Sequence, residues 1–575
     1  MTSPRVRVAW RGVRVAWRGV LLALGALAAV GCGQGAPGGD APDGGVEREV
    51  VIVYTGRFVT LDSLAPRAEA IAVRDGRIEA IGTRAYVDSV AGPDAVHESL
   101  PGVVVPGFTD AHAHAAALGG VLESVDVRGM SKAVVLERVA AAAARAPAGA
   151  WIRGGGWDQS FWSPPDFPTA AELDAVSTEH PVILDRIDGH AVWVNGRAMQ
   201  LAGIDRAAVA PAGGRIVRDA AGIPSGVLVD DAIDLVSRVV PPLDLAQRAR
   251  QLRSALAQYA SWGVTSIHDA GVLLADIDSY RALLGDGPLP VRAYVMAAAD
   301  RATFDAVLAR GPEIGSGDGT FTLRTIKVVD DGALGSRGAR LSSPYRDDRS
   351  ERGLILVPRP QLDSIIARSL ARGFQVAVHA IGDASTHDVL DAFERAGAAG
   401  RASRFRLEHV SMLRDDDLPR LAQIGVIASM QPVFVGEYAR FAEARVGAAR
   451  LPWVYRTRDV VMSGAVLATG TDFPASDTGD PIATLASMVT RQGYDGTPAS
   501  GWLPGQRVSV DIALRSMTAG AAYAAFEEAD RGELRVGRLA DLTVLSDDPF
   551  AIEPAALRNL VVLRTIVGGR TTFQR

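Results

Sequence analysis

The residues best suited to bind a metal ion lie in the segment PGFTDAHAHAA, positions 106–116. His112 and His114 are two positions apart and follow an apolar stretch, 103–108. In a β-strand, residues two apart point to the same side, so both imidazoles would face the same way. Two neutral imidazoles that converge in this manner form half of a divalent-metal site. The pair alone is a weak signal, but its place after an apolar strand favours metal ligation.

Further polar residues occupy the same kind of position, at the end of a later apolar stretch. Each of them alone would more often be a buried polar group with a structural role. Histidine is scarce, with nine residues in the chain, yet four of the nine lie at such positions when His112 and His114 are included. The pattern predicts one shared site, whose other members are Lys327, His379, His409 and Asp472.

Eight apolar stretches alternate with helical segments rich in Ala, Leu and Arg. Such alternation predicts parallel βα units, and eight of them fit an α/β fold of the (β/α)8 TIM-like barrel type. Barrel enzymes build their sites at the carboxyl ends of the strands, where the polar residues above would lie. The predicted strands are 103–108, 264–268, 290–296, 322–329, 375–379, 405–409, 425–430 and 465–470.

The two ends of the chain are rich in short alternating strands, and Asp75-Gly76 is a strong hairpin signal. We expect 49–104 and 525–575 to form one small β-sandwich domain, with the barrel over 105–524. The gap between the first two barrel strands is too long for one crossover. It therefore predicts an inserted subdomain at about 115–260.

The first 31 residues resemble a secretory signal peptide. They contain five Arg, no acidic residue, and an apolar run about half as long as a membrane span requires. The run ends before Cys32, the only cysteine, so the segment resembles a lipoprotein signal and predicts lipidation there. An ordinary cleaved signal is the alternative. Residues 32–48 are rich in Gly, Pro and Asp and predict a flexible linker, so we expect an exported bacterial lipoprotein of the periplasm or cell envelope.

The charge balance limits the partners. The formal net charge is −6, and without the first 31 residues the chain has 55 basic and 66 acidic residues. This acidic balance gives no electrostatic basis for binding nucleic acid. We expect a small-molecule substrate and membrane association through a lipid anchor alone, and the sequence makes no prediction of oligomeric state.

Lysine is almost absent: the chain has only Lys132 and Lys327 among 60 basic residues. A lysine kept in such an arginine-rich chain suggests a position where arginine cannot serve. A buried lysine amine can lose its proton, whereas a guanidinium remains charged.

The chain resembles the amidohydrolase superfamily, and within it the YtcJ-like (amidohydrolase 3) branch that includes N-substituted formamide deformylases. The resemblance covers most of residues 49–575. The segments that carry it are PGFTDAHAH, WIRGGGWDQ, DGHAVWVN, IKVVDDGALGSR, VHAIGDAS, RLEHVSM and GTDFP.

The resemblance implies a site for one or two divalent metal ions, with Zn2+ favoured by the imidazole and carboxylate ligands. His112, His114 and Asp472 would hold the first ion, and His379 and His409 the second. Lys327 would bridge the ions as a carbamate formed with CO2. The alternative for this lysine is a plain ammonium group paired with Asp330 or Asp331.

The implied reaction is hydrolysis of a non-peptide carbon–nitrogen bond, an amide or N-formyl or N-acyl amine, by metal-activated water. Asp472 would be the catalytic residue, which accepts the proton of the water and returns it to the leaving amine. A deaminase, or an ester or lactone hydrolase, could use the same ligands. A lipid-anchored binding protein without catalysis is a further alternative, but it predicts a gap in the ligand set, and none is visible.

Weaker signals predict substrate contacts outside the ligand set. A structural role is the alternative for each, and for one of them, in the first strand gap, packing is slightly favoured. The residues predicted to contact substrate are His190, Asp331, Arg337, Trp157 and His268.

Overall fold

The computed structural model describes residues 50–159, 162–186, 191–211 and 214–575. The predicted signal peptide, the linker and Cys32 lie outside the described residues, as does His190. None of the helices in the described ranges is long and apolar enough to cross a membrane.

The strands are labelled in chain order. They are β1 (Ile52–Val59), β2 (Arg67–Arg74), β3 (Arg77–Gly82), β4 (Val96–Pro106), β5 (Phe108–Ala113), β6 (Val125–Asp126), β7 (Ile152–Trp157), β8 (Val182–Arg186), β9 (Ala191–Val194), β10 (Gly214–Arg218), β11 (Pro224–Asp230), β12 (Val264–Val272), β13 (Arg292–Ala298), β14 (Glu313–Gly315), β15 (Phe321–Val329), β16 (Gln375–Ala380), β17 (Arg406–His409), β18 (Ile427–Met430), β19 (Leu467–Thr469), β20 (Leu542–Leu545), β21 (Val562–Val567) and β22 (Arg570–Gln574).

The α-helices follow the same convention. They are α1 (Arg84–Ala91), α2 (Ala115–Glu123), α3 (Lys132–Ala143), α4 (Ala170–Asp174), α5 (Gly196–Ala202), α6 (Asp234–Ser237), α7 (Leu245–Ser261), α8 (Leu274–Leu284), α9 (Arg301–Arg310), α10 (Ser316–Gly319), α11 (Arg359–Ala371), α12 (Asp383–Ala402), α13 (Leu418–Ile424), α14 (Val435–Val446), α15 (Thr457–Met462), α16 (Pro481–Thr490), α17 (Val510–Ser516) and α18 (Ala519–Ala524).

A nearly closed parallel sheet confirms the predicted α/β barrel. Its eight main strands run in the order β5, β12, β13, β15, β16, β17, β18 and β19, with parallel pairing between neighbours. Their residues are almost all buried because helices cover the outer face, which is why the sequence shows continuous apolar runs. The first and eighth strands meet beyond β19, where the Asp472 N–H donates to the His112 carbonyl at 2.7 Å.

The predicted first barrel strand, 103–108, was wrong in its boundaries. Residues up to Pro106 belong to β4 of another sheet, and the barrel strand begins at Phe108. Gly107 separates the two because a β-carbon there would lie 2.2 Å from the Thr265 hydroxyl oxygen. The His-x-His pair therefore lies at the end of β5 itself, with His112 in the strand and His114 just before α2.

Both ends of the chain contribute to one seven-stranded sheet, in the order β22, β21, β20, β4, β1, β2, β3. The shared sheet agrees with the expectation that the two ends fold together, but a sandwich of two stacked sheets is not confirmed. At the β3 edge of the sheet, the Ile78 N–H donates to the carbonyl of Arg538, which precedes β20, at 2.8 Å. Helix α1 covers one face through the buried Val87.

Between β5 and β12 the chain forms a six-stranded sheet of its own, in the order β10, β11, β9, β8, β7, β6. Its core is aromatic, with the rings of Trp157, Trp162 and Trp193 at centroid separations of 6.0–6.3 Å. Helices α2 and α7, at the two ends of this segment, pack instead into the barrel's hydrophobic core through Leu118 and Leu256.

A buried ion pair joins the barrel to the seven-stranded sheet. Arg292 at the start of β13 donates two hydrogen bonds to Asp541, of 2.8 and 3.0 Å, and both side chains are less than a tenth exposed. The Gly568 N–H donates to the same carboxylate at 2.7 Å. Removing the carboxylate would leave a guanidinium buried without its counter-charge.

We expect Asp541→Ala to destabilise the fold by about 3–5 kcal/mol, the usual cost of breaking a buried pair. Urea unfolding followed by tryptophan fluorescence would show this as a lower midpoint. Asp286→Ala is the control, because its pair with Arg253 is more than half exposed and contributes about 0–1 kcal/mol. Equal midpoints for the two variants would contradict a structural role for the buried pair.

Candidate active site

His112 is the most deeply buried member of the site. It lies at the end of β5, and its side chain is fully buried. Its Nδ1 is 2.5 Å from Glu408 Oε2, which places the proton on Nδ1 and leaves a lone pair on Nε2. Nε2 is buried and has no hydrogen-bond partner among the described residues. An orphaned imidazole nitrogen of this kind is suited to ligate a metal.

His409 and Asp472 bring further ligand atoms to the same place. One ligand atom each from His112, His409 and Asp472 lie within 4.8 Å of one another. Ligand atoms this close together can converge on one ion, since zinc–ligand distances are about 2.0–2.2 Å. The Asp472 carboxylate is 3.3 Å from His112 Nε2 and 2.9 Å from His114 Nε2. The Nδ1 of His114 is 2.9 Å from the Ala270 carbonyl, which orients that ring.

His379 extends the cluster at the end of β16. Its ring centroid is 4.4 Å from that of His409, which in turn is 4.8 Å from that of His112. The Nε2 of His379 is buried without a hydrogen-bond partner in the described part of the chain. The cluster thus has two orphaned imidazole nitrogens, and the residues present fit one or two divalent metal ions.

Left-handed backbone conformations aim two of these side chains. His409 has φ 76°, Val410 φ 49° and Asp472 φ 63°. Non-glycine residues seldom adopt such values, and they concentrate at functional sites. A regular strand would point Glu408 and His409 to opposite faces. The turn at His409 instead brings its ring beside that of His112, whose Nδ1 contacts Glu408.

Lys327 is buried in the barrel interior, near the end of β15. The alternative that it pairs with Asp330 or Asp331 is wrong: no carboxylate of the described residues lies within 4.0 Å of its amine. Asp330 accepts the Ser385 hydroxyl at 2.5 Å, and Asp331 accepts three backbone N–H groups at 2.8–3.0 Å. Burial lowers the pKa of Lys327, against the opposing effects of Glu408 and Asp472.

Burial keeps His112, His379 and His409 neutral, whereas the pKa of His114 is raised because its hydrogen bond to Asp472 and the charge of that carboxylate outweigh burial. Burial lowers the pKa of His112 to about 4 and that of His409 to about 3, and it lowers the pKa of His379 well below its usual value. Burial alone would raise the pKa of Asp472, but His112, the His114 hydrogen bond and His409 outweigh it and lower the pKa. At neutral pH the site therefore offers three neutral imidazoles and an ionised carboxylate, the forms that bind metals.

Glu408 and Arg406 are functional residues that the sequence analysis missed. The Arg406 guanidinium donates to Glu408 Oε1 at 2.7 Å, to the Ala111 carbonyl at 2.7 Å and to His268 Nδ1 at 2.9 Å. Burial would raise the pKa of Glu408, but Arg406 and His112 hold it well below the usual range. The signal was present in RLEH, where two charged residues two apart interrupt a strand whose neighbours are apolar.

Asp110 was also missed, although it lies inside the His-x-His segment. Its carboxylate accepts the His112 N–H at 3.1 Å, the Thr471 N–H at 2.9 Å and the Thr471 hydroxyl at 2.6 Å. Burial raises its pKa to about 7. Gly470 permits this contact, because a β-carbon there would lie 2.3 Å from the His112 nitrogen. Asp110 thereby ties the first strand to the loop that carries Asp472.

The structure corrects three predicted substrate contacts, which are fully buried, whereas the contact by Arg337 stays a prediction. Trp157 is fully buried in the inserted sheet, where its indole N–H donates to the Leu184 carbonyl. His268 is buried beneath the ligands beside Arg406, Asp331 is occupied by backbone N–H groups, and Arg337 is paired with Asp347 at 3.0 Å. Each was assigned from its place in a loop or strand, which does not reveal its partners. His190 lies outside the described residues.

The amidohydrolase family model matches residues 102–573, which is most of the chain. The chain belongs to the amidohydrolase family. It is 32% identical to the putative amidohydrolase YtcJ of Bacillus subtilis (strain 168), over 91% of this chain and 99% of that protein. It is 27% identical to the N-substituted formamide deformylase of Arthrobacter pascens, over 91% of this chain and 98% of that protein.

A solved structure supports the same assignment. The chain resembles an uncharacterized metal-dependent hydrolase from Pyrococcus horikoshii OT3 with a TM-score of 0.74 and 26% identity, covering 88% of this chain and 99% of that one. The chain is therefore an amidohydrolase with a small-molecule substrate, and the barrel cluster is its candidate divalent-metal site.

We expect Glu408→Gln to weaken metal binding by about 10–100-fold, because it removes the carboxylate that fixes the His112 ring. Competition with a chelator would measure the affinity, and circular dichroism would show whether the variant is folded. Glu528→Gln is the matched control, since it removes a carboxylate paired with Arg404 on the surface. A folded Glu408→Gln protein with unchanged metal affinity would refute the orienting role.

Proposed function

We propose that this amidohydrolase hydrolyses a non-peptide carbon–nitrogen bond, in an amide or an N-formyl or N-acyl amine, with a divalent metal, for which Zn2+ is the proposed ion. The observation that carries the proposal is the set of converging ligand atoms of His112, His409 and Asp472 in the barrel interior. The likeness to a deformylase of N-substituted formamides supports the choice of bond.

The proposed ligand sets are those that the family resemblance implies. His112, His114 and Asp472 would hold one ion, and His379 and His409 a second, with Lys327 between them as a carbamate. The buried amine with lowered pKa supports the last assignment, because the neutral amine is the form that reacts with CO2. In that reaction the nitrogen lone pair forms the bond to carbon, and the amine releases one proton.

A bound divalent metal supplies Lewis acidity, which acidifies water and polarises a carbonyl group. The chain's own contribution is Asp472, whose ionised carboxylate faces His112 and His114. We propose that it accepts a proton from the attacking water and passes it to the leaving amine.

For the cellular location we propose export and lipid anchoring at Cys32, in the periplasm or cell envelope of a bacterium. The Arg-rich segment, the short apolar run and the single cysteine after it support this proposal. The residues concerned lie outside the described ranges.

We expect the purified protein to bind about two metal ions per chain, as in other two-metal sites, and Lys327→Ala to bind one or none. Elemental analysis after reconstitution with Zn2+ measures this directly. Lys132→Ala is the matched control, because it removes the chain's other lysine. Lys132 lies at the start of α3 and pairs with Glu172 of α4, away from the barrel interior. One ion per chain, unchanged by Lys327→Ala, would exclude the bridging carbamate.

We expect the Zn2+-loaded protein to release amine from N-formyl and N-acetyl amines, and Asp472→Asn to lower kcat by about 10²–10⁴-fold through loss of the proton carrier. The assay should quantify amine, ammonia and alcohol from matched amide, amino-heterocycle and ester substrates. Release of ammonia or alcohol alone would favour a deaminase or an esterase instead. Absence of any product from metal-loaded protein would favour a binding protein.

A further inference from the structure

A cavity of about 460 Å3 lies beside helix α2, between that helix and the edge of the inserted sheet. Its lining includes Ala117 of α2, Ser124 directly after that helix, Gly155 of β7, and Pro474. Pro474 is two residues beyond Asp472, and α2 begins directly after His114. Two segments that line the cavity therefore continue directly along the chain from proposed metal ligands.

The length of α2 sets the distance from the ligands. At a rise of about 1.5 Å per residue, Ala117 lies about 4.5 Å and Ser124 about 15 Å along the helix from His114. A substrate that spans from the metal site to this part of the lining would carry its far group about 5–15 Å from the reacting bond, with about 10 Å as the midpoint.

The arginines that line the cavity differ in whether a carboxylate is paired with them. Three arginines line it, and two have a carboxylate partner: Arg128 with Asp126 at 3.2 Å, and Arg186 with Asp158 at 3.1 Å. Arg153 has no carboxylate within 4.0 Å in the described ranges; it donates to the Pro241 carbonyl at 2.5 Å. Burial lowers the pKa of Arg153, as expected for a cation without a counter-charge.

A second cavity, of about 280 Å3 beside the same helix, shows the contrast. Its arginine, Arg248, is paired with Asp276 at 3.1 Å and leaves no charge uncompensated. Two carboxylates line the larger cavity: Asp126, which is paired with Arg128, and Asp185, for which the described residues provide no ion-pair partner. Neutralising Asp185 therefore tests the charge of the bound ligand. Loss of this negative charge would strengthen the binding of an anion and weaken the binding of a cation.

The absence of a side chain at Gly156 leaves room for Arg128 at the edge of the cavity. A β-carbon at Gly156 would lie 2.3 Å from Arg128 Cγ, so the glycine lets that side chain fold against the edge of β7. Guanidinium groups match the planar, bidentate geometry of a carboxylate. The cavity thus presents several guanidinium groups, one of them lacking an anionic partner.

We infer that this cavity binds a carboxylate at the far end of the substrate, with Arg153 as its counter-charge and the scissile amide at the metal site. The inference rests on the proposed amide hydrolysis and narrows it to a substrate class: N-acyl or N-formyl amines with a carboxylate about 10 Å from the reacting bond. The barrel then performs the chemistry, and the inserted sheet selects the substrate.

Binding of a pair of ketones tests the inference without hydrolysis. In 8-oxononanoate a CH2 group replaces the amide N–H of N-acetyl-6-aminohexanoate, and 2-nonanone is its uncharged counterpart. Isothermal titration calorimetry on the full chain loaded with Zn2+ should show 8-oxononanoate binding at least about 10-fold more tightly, the value of one charge-assisted contact. Arg153→Gln should remove that difference, and Asp185→Asn should preserve or increase it.

Arg197→Gln is the matched control, an exposed arginine of the same inserted segment on α5 that does not line the cavity. It should leave both affinities unchanged. Equal binding of the two ketones, or unchanged binding of 8-oxononanoate to Arg153→Gln, would overturn the inference. Weaker binding of 8-oxononanoate to Asp185→Asn would overturn it as well, because it would indicate a cation site.

The two proposals fail separately. If no amide is hydrolysed but 8-oxononanoate binds in an Arg153-dependent manner, the proposed function fails and the anion site stands. If N-acetylhexylamine and N-acetyl-6-aminohexanoate are both hydrolysed with equal kcat/KM by wild type and Arg153→Gln, hydrolysis stands and the cavity has no role in selection.

Discussion

The contact between Glu408 and His112 is the interaction on which the site depends. A carboxylate in the barrel interior would be strongly destabilised by the loss of water, and it persists ionised because Arg406 and His112 both face it. The arrangement has a chemical consequence. Since Nδ1 of His112 is bound to the carboxylate, only Nε2 is available to a metal, and it points toward Asp472 and His409. Arg406 also donates to His268 and the Ala111 carbonyl, so one guanidinium connects β17 to β12 and β5.

The contacts that close the barrel also position one of the proposed metal ligands, Asp472. The first and eighth strands do not continue as a regular ladder at the site; they are joined by the Asp110 carboxylate and by the Asp472 N–H on the His112 carbonyl. The chain can therefore leave the strand at Thr471 and enter the left-handed conformation at Asp472 that aims its carboxylate. A regular ladder there would place the Asp472 side chain according to strand alternation. The strain at His409 and Asp472 is maintained because both lie between buried, hydrogen-bonded strands.

The sequence predicted the parts of the structure that follow from periodicity. The barrel strands appear as apolar runs because both faces are buried. All eight predicted runs overlap the strands assigned to them, the first of them at Phe108 alone. His112, His379, His409 and Asp472 could be grouped because a barrel brings strand ends together. The boundary near Pro106 could not be found in the same way, since one apolar run, 103–108, serves two sheets and only the contact of Gly107 with Thr265 separates them.

The residues that were missed or misassigned depend on contacts between distant segments. Glu408 meets His112 across 296 positions of the chain, and nothing local to RLEH reveals that its carboxylate faces inward. Arg337 and Asp331 lie on the loop after β15 as predicted, but their partners, Asp347 and the backbone near Gly382, are set by how that loop folds.

In this amidohydrolase the proposed metal ligands and the cavity proposed to select the substrate lie on different parts of the fold. The metal ligands are fixed by barrel strands whose order and spacing are imposed by the fold. The uncompensated Arg153 lies instead on β7 of the inserted sheet, which has its own hydrophobic core built around Trp157 and Trp193. Because that core does not include the barrel strands, the charge of the cavity lining can change without disturbing the ligands. Helix α2 is the physical link, since it starts at the metal site and lines the cavity along its length.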